Sequence, residues 1–224
     1  MIVIDNFIKD ETIVEEISND FNFFSKSVTS DKEVKIKLNY NHDAKHGYKH
    51  PYMFWDGWWR SPVNTLKKKV IKKIWENNLE WPLDDILGFE YWSKTYMPGQ
   101  YLETHVDEDT FLYSDKKIFQ GPITGSIYYG TDNKDGGFLE VHKNLLIDGD
   151  EKSLEKDNIK KFISPEEDRE RIAYKGNRLI IFDAGHQLHG TTPSKSGIRE
   201  VLIVNVWHKD TPPVALFDNR FLYE

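Results

Sequence analysis

From residue 89 onward the sequence is a succession of short runs in which β-branched and aromatic residues alternate with polar ones, and nearly every run closes on glycine, proline or an Asn/Asp pair. Alternation of this kind puts successive side chains on opposite faces of a strand, so each run offers one face to a core and none can bury that face alone. The runs at 89–96, 125–130, 137–142, 177–182 and 199–207 read as strands. The first leads into a Pro98-Gly99 turn, the second and third are expected to form a hairpin across 132–136, and the last two are joined through a loop containing His189. There is no internal repeat.

The amino-terminal part has a different period. Ile2 to Ile8 reads as a strand turning at Asp5-Asn6, and Ile13, Val14, Ile17 and Phe21 give helical spacing after Asp10. Residues 26–38 alternate around Val34, Ile36 and Leu38 and read as a strand with one wet face. Ser61-Pro62 supplies a helix start, followed by an apolar stripe of Val63, Leu66, Val70, Ile74 and Trp75 that ends at Asn77-Asn78. Many short strands following helices predict a mostly β fold with flanking helices (α+β). Its core is a double-sheet jelly roll, a double-stranded β-helix, with the N-terminal helices packed outside.

The chain has 224 residues, which suits one domain spanning 1–224. Two stretches lack a period. Residues 40–59 hold His42, His46 and His50 in what reads as a polar loop, because Gly47 and Pro51 oppose a helix. The same stretch carries Tyr52, Trp55, Trp58 and Trp59, which either fill the core or wall a substrate cleft. Residues 145–172 are highly charged, with helix-like pieces at 152–162 and 165–171, and read as an insertion too polar to bury a core. The lysines at 67, 68, 69, 72 and 73 read as a partly solvated helix face.

The absence of cysteine excludes disulfides, iron–sulfur clusters, Cys-ligated zinc and thiol catalysis, so any metal must use His, Asp or Glu. A net charge of −7 provides no global attraction for a phosphate backbone and argues against nucleic acid as partner. With no basic leader and no long apolar run, a soluble cytoplasmic protein without membrane partners is expected.

The chemistry-bearing stretch is 96–107, where His105 and Asp107 stand two residues apart in an extended segment and can converge on one ion. A third nitrogen ligand must come from elsewhere, and His186 and His189, after the run 178–183, both offer one. Two imidazoles and one carboxylate with open positions suit non-haem Fe(II). Arg199 opens a strand with alternating apolar residues, a position from which a charged fork can reach into a mostly apolar interior.

Taken in order, Tyr96-x-Pro98-Gly99-Gln100-Tyr101, His105-x-Asp107, Gly136-Gly137-x-Leu139, Phe182, His189 and Arg199 resemble the 2-oxoglutarate and Fe(II)-dependent oxygenases, in their prolyl 4-hydroxylase-like branch. The resemblance runs from about Ile2 to Trp207. It implies that His105, Asp107 and His189 are the metal ligands, since 189–193 is similar to the family's His-x-x-x-Pro segment, and that His186 is a neighbouring loop residue. It implies that Arg199 binds the far carboxylate of 2-oxoglutarate with Tyr129, and that Tyr96 lies close to the cosubstrate. The cofactors that follow are Fe(II), 2-oxoglutarate and dioxygen, with ascorbate allowed as an auxiliary reductant.

The implied reaction is hydroxylation of an unactivated C–H bond with release of succinate and carbon dioxide. An aspartate at 107 argues against the halogenating variant of the family. The implied substrate is a prolyl residue in a peptide or protein; a free amino acid or another small molecule is the alternative. Two further readings compete: a jelly-roll module whose metal is structural or absent, and a nucleic-acid demethylase. The latter usually carries a second arginine six residues after the first, where this chain has Asn205.

Overall fold

The computed structural model describes residues 1–20, 23–24, 53–130, 132, 135–145 and 163–217. The expected strand at 26–38, the His42/His46/His50 stretch and the piece at 152–162 lie outside the described residues. Nine strands form two antiparallel sheets among the described residues. In chain order they are β1 (Ile2–Ile4), β2 (Met53–Trp55), β3 (Ile86–Tyr96), β4 (Thr124–Tyr129), β5 (Phe138–Leu145), β6 (Arg169–Ala173), β7 (Leu179–Phe182), β8 (Gln187–Thr191) and β9 (Arg199–His208). The larger sheet has the order β1-β7-β4-β9-β3-β2, and the smaller is β6-β5-β8. No helix among the described residues is long and apolar enough to cross a membrane.

Three helices bear on the argument. Helix α1 (Glu11–Asn19) starts at Asp10, whose carboxylate accepts from the Thr12 amide at 3.1 Å. Helix α2 (Leu66–Trp75) begins later than the Ser61-Pro62 signal predicts. Its cap is Thr65, whose hydroxyl accepts from the Lys68 amide at 3.2 Å, a hydrogen bond that proline at 62 does not replace. Lys67 and Lys68 are buried rather than solvated, and the Lys68 ammonium lies 5.7 Å from the Trp55 ring centroid. Helix α3 (Thr110–Lys116) is capped by Asp109, which accepts from the amides of Phe111 and Leu112.

Alternation along β9 and β3 divides the larger sheet into two unlike faces. Leu202, Val204 and Val206 of β9, with Phe89 and Tyr91 of β3, pack against Ile17 of α1 and against Val70, Ile71, Ile74 and Trp75 of α2. Each such side chain contributes about 1.5–3 kcal/mol by leaving water. On the opposite face Val201, Ile127, Tyr129, Ile180 and Phe182 meet Leu139 and Val141 of the smaller sheet. The second face is where the cavity lies.

Two expectations are corrected here, and the structure decides between two readings of a third stretch. The runs 125–130 and 137–142 are both strands, but they do not form a hairpin. β4 pairs with β7 and β9, whereas β5 pairs with β6 and β8 in the other sheet. Gly137, at φ +79°, turns the chain across to that sheet, close against the Thr192 carbonyl. The piece at 165–171 is not helical beyond a single 3-10 turn at Glu166–Asp168, and from Arg169 it is β6. Arg169 and Arg171 both pair with Glu140 on β5, a cross-strand interaction that no local period announces. The tryptophans do not wall a cleft. Trp55 is 2% exposed, and Trp58 stacks on Phe89 with ring centroids 5.8 Å apart, on the helix-covered face.

Candidate metal centre and its cavity

His105, Asp107 and His189 come together in the lining of one cavity, with their potential ligand atoms all within 4.8 Å of one another. His189 was expected in a loop and lies on β8 instead. The segment carrying His105 is laid alongside it: the His105 amide donates to the His189 carbonyl and the His189 amide donates back, both at 2.8 Å. The Asp107 amide donates to the Ala184 carbonyl at 2.8 Å, and the Thr191 amide to the Leu102 carbonyl at 2.9 Å. Two segments some eighty residues apart are thereby fixed by backbone hydrogen bonds, and the side chains follow.

Both imidazoles have one nitrogen committed. Nδ1 of His105 lies 2.8 Å from the Glu103 carbonyl and Nδ1 of His189 lies 2.9 Å from the Gln187 carbonyl, so each Nδ1 carries a hydrogen and each Nε2 is the nitrogen turned toward Asp107. The two Nε2 atoms lie 3.3 and 3.7 Å from Asp107 Oδ1. Burial, together with the nearby charge of His105, holds the His189 imidazole neutral down to about 4. Burial opposes ionisation of Asp107 most strongly, but the His105 hydrogen bond and the charges of the two histidines together outweigh it and keep its carboxyl below the ordinary range. Burial also opposes charging of His105, and the Asp107 carboxylate overcomes that too, moving it up. A neutral ring, a carboxylate and a second ring with its Nε2 turned inward form a donor set that fits a divalent metal.

Two nearby candidates are engaged elsewhere. His186 holds its Nδ1 3.0 Å from Asp183 Oδ1 and is not part of the cluster. Asp109, two residues past Asp107, uses its carboxylate to cap α3.

Arg199 lies in the same cavity, 1% exposed, and no carboxylate pairs with it among the described residues. Its guanidinium donates to the carbonyls of Gly136 (3.2 Å) and Thr192 (3.0 Å) and to the Thr191 hydroxyl (2.9 Å), while its Nε is buried with no partner. Burial lowers its pKa, and a positive charge in such a place demands an anion. The Tyr96 ring lies 4.5 Å from the guanidinium carbon, and Tyr129 packs on Tyr174 with centroids 4.6 Å apart. Burial pushes Tyr96 up to about 12 and raises Tyr129 as well, so both hydroxyls stay protonated as donors. Ile127, Leu139, Phe182 and Val201 add apolar side chains to the lining of the same cavity.

The sequence reading missed Thr191, Trp92, Ile203 and Asn205, which also line the cavity. A period-2 count from Arg199 through 201, 203 and 205, and from Tyr96 back to Trp92, was available to find the last three.

No family model matches the sequence, and no curated protein does. Among solved structures the chain is similar to a prolyl hydroxylase of Trichoplax adhaerens in complex with a peptide fragment of the hypoxia inducible factor oxygen degradation domain. Identity there is 13% and the TM-score 0.50, over 94% of this chain and 84% of that one. It is also similar to a Pseudomonas putida prolyl-4-hydroxylase (11% identity, TM-score 0.45, 93% and 92% covered). A 2OG-Fe(II) oxygenase family oxidoreductase of Burkholderia pseudomallei is similar over 67% of this chain and 56% of that one (12% identity, TM-score 0.37). The first is a likeness of fold and the other two are looser superpositions.

Proposed function

We propose that the chain, acting over 1–224 as one jelly-roll domain, is an Fe(II)- and 2-oxoglutarate-dependent dioxygenase that hydroxylates an unactivated C–H bond, in a prolyl residue of a peptide or protein. The observation that carries the reading is a buried arginine, without a carboxylate partner among the described residues, lining one largely apolar cavity with three converged metal-ligand side chains. A binding module needs a reason for one of these features; a 2-oxo diacid cosubstrate accounts for both.

In this reading His105 Nε2, Asp107 and His189 Nε2 hold Fe(II), which when bound with 2-oxoglutarate and dioxygen supplies the oxidising power for C–H hydroxylation. Arg199 binds the far carboxylate of 2-oxoglutarate, its unpaired Nε being one available donor, and the Tyr129 hydroxyl is the second partner. Tyr96 supports the arginine from its ring face. Ile127, Leu139, Phe182 and Val201 keep water away from the reacting centre. The Glu103 and Gln187 carbonyls hold the imidazoles in the tautomer that leaves Nε2 free.

The test is succinate release, with mass spectrometry of products, across proline-containing peptides, free proline and other amino acids. The reading expects succinate and a product 16 Da heavier, one added oxygen atom, from a proline-containing peptide. Turnover of free proline or another amino acid alone replaces the substrate class and keeps the chemistry. No substrate-dependent succinate from any of them, with iron bound, removes the enzymatic reading.

A further inference from the structure

Thr191 has no part in the reading above, yet it lines the same cavity as Arg199 and the three metal-ligand side chains. It stands on β8 two residues past His189, so alternation turns both side chains to one face of the strand. Its hydroxyl oxygen accepts two hydrogen bonds. The Leu102 amide donates to it at 2.8 Å, and the Arg199 guanidinium donates through Nη2 at 2.9 Å. The Thr191 amide returns a hydrogen bond to the Leu102 carbonyl at 2.9 Å, so the residue is tied to the segment that carries His105 and Asp107 from both its backbone and its side chain. Between this exchange and that of His105 with His189, the 102–105 side holds one residue more than the 189–191 side. That bulge leaves the Glu103 carbonyl to His105 Nδ1, and the Thr191 hydroxyl closes the ladder beyond it.

A hydroxyl has two lone pairs and one hydrogen. The two N–H donors occupy both lone pairs of Thr191, and neither an amide N–H nor a guanidinium can accept in return. Among the described residues no acceptor takes the hydrogen, which is left for an acceptor in the cavity, beside the one buried cation that demands an anion there. We propose that Thr191 is a specificity-determining residue of the diacid site: held by Leu102 and Arg199, its hydroxyl donates to the same far carboxylate that Arg199 binds, and so favours a 2-oxo diacid over a 2-oxo monoacid. This inference rests on the reading of the cavity as a 2-oxoglutarate site.

The test is titration calorimetry, without oxygen, of 2-oxoglutarate and separately of 2-oxobutanoate into full-length protein loaded with Mn(II), for the wild type, Thr191→Val, Thr191→Ala and Thr191→Ser. The two acids share the chelating end, and only the first has a far carboxylate. Loss of a hydrogen bond to a charged group weakens binding about 10- to 100-fold. Thr191→Val is expected to lose 2-oxoglutarate affinity on that scale, with 2-oxobutanoate and Mn(II) affinity within a few-fold of wild type. Thr191→Ala gives the same contrast if the valine variant does not fold. Thr191→Ser, which keeps the hydroxyl, is expected to bind 2-oxoglutarate within a few-fold of wild type. Hydroxyl-free variants that bind 2-oxoglutarate as the wild type does, or lose both acids equally, overturn the role of Thr191 and leave the diacid site standing, as does a serine variant as weak as the valine one. A wild type that binds no 2-oxoglutarate with Mn(II) present overturns the cosubstrate reading and this inference with it.

Discussion

The two faces of the larger sheet are built from the same strands and have opposite chemistry. On one face, Leu202, Val204 and Val206 of β9 meet Trp75 and Ile74 of α2, and the packing is apolar and dry. On the other, the intervening residues Arg199, Val201, Ile203 and Asn205 look into a cavity that also holds His105, Asp107 and His189. A single strand therefore carries fold on its even-numbered residues and chemistry on its odd ones. What separates them is the alternation of the backbone, not distance along the chain.

If this division is correct, substitutions on the two faces fail in different ways. The largest effect is expected at the ligands: His105→Ala, Asp107→Ala or His189→Ala abolishes succinate release and metal binding, whereas His186→Ala leaves Mn(II) affinity within a few-fold of wild type. Retained affinity in His189→Ala with loss in His186→Ala reverses the assignment. On the helix-covered face, Trp75→Ala is expected to cost about 3–5 kcal/mol of unfolding free energy. Trp55→Ala is expected to destabilise on the same face while product formed per 2-oxoglutarate consumed stays unchanged in the folded protein. A lowered product ratio in Trp55→Ala, without lost stability, would return that tryptophan to the cavity.

At the arginine, a buried charge and its anion are separated, a loss of roughly 3–5 kcal/mol. Arg199→Ala is accordingly expected to raise the 2-oxoglutarate requirement at least about a hundredfold, with the iron requirement little changed. A further effect concerns Glu90, which burial pushes from the ordinary 4.5 up to about 8. The folded metal-free protein thus binds one more proton than the unfolded chain between those values, and this group's contribution to stability is lost as pH rises from about 5 to 8. Glu90→Gln is expected to flatten that slope, as read by denaturant unfolding at several pH values. An unchanged slope contradicts the burial of an ionisable Glu90.

Much of this architecture is legible in the sequence, for identifiable reasons. β3 and β9 carry long alternation, and Asp10 caps α1 from a position where a cap is expected. The pairing of β4 and β5 was misread because alternation says that a segment is a strand but not which strand it joins. A short Gly-containing connection suits a hairpin and a crossing between sheets equally. β6 was hidden by its charges, since Arg169 and Arg171 look like solvated residues until Glu140 is placed opposite them. The His-x-Asp pair and Arg199 were visible because their residue types are unusual in such runs. Asn205 was visible only as the absence of an arginine, and its place in the cavity lining requires the fold.

The central claim, a metal and a diacid sharing one cavity, is tested most directly by calorimetric titration of 2-oxoglutarate into the protein without oxygen, first metal-free and then loaded with Mn(II). The account predicts binding that requires the metal, is lost in Asp107→Ala and is weakened about a hundredfold or more in Arg199→Ala. Equal binding with and without the metal, or none in Mn(II)-loaded protein, would contradict it.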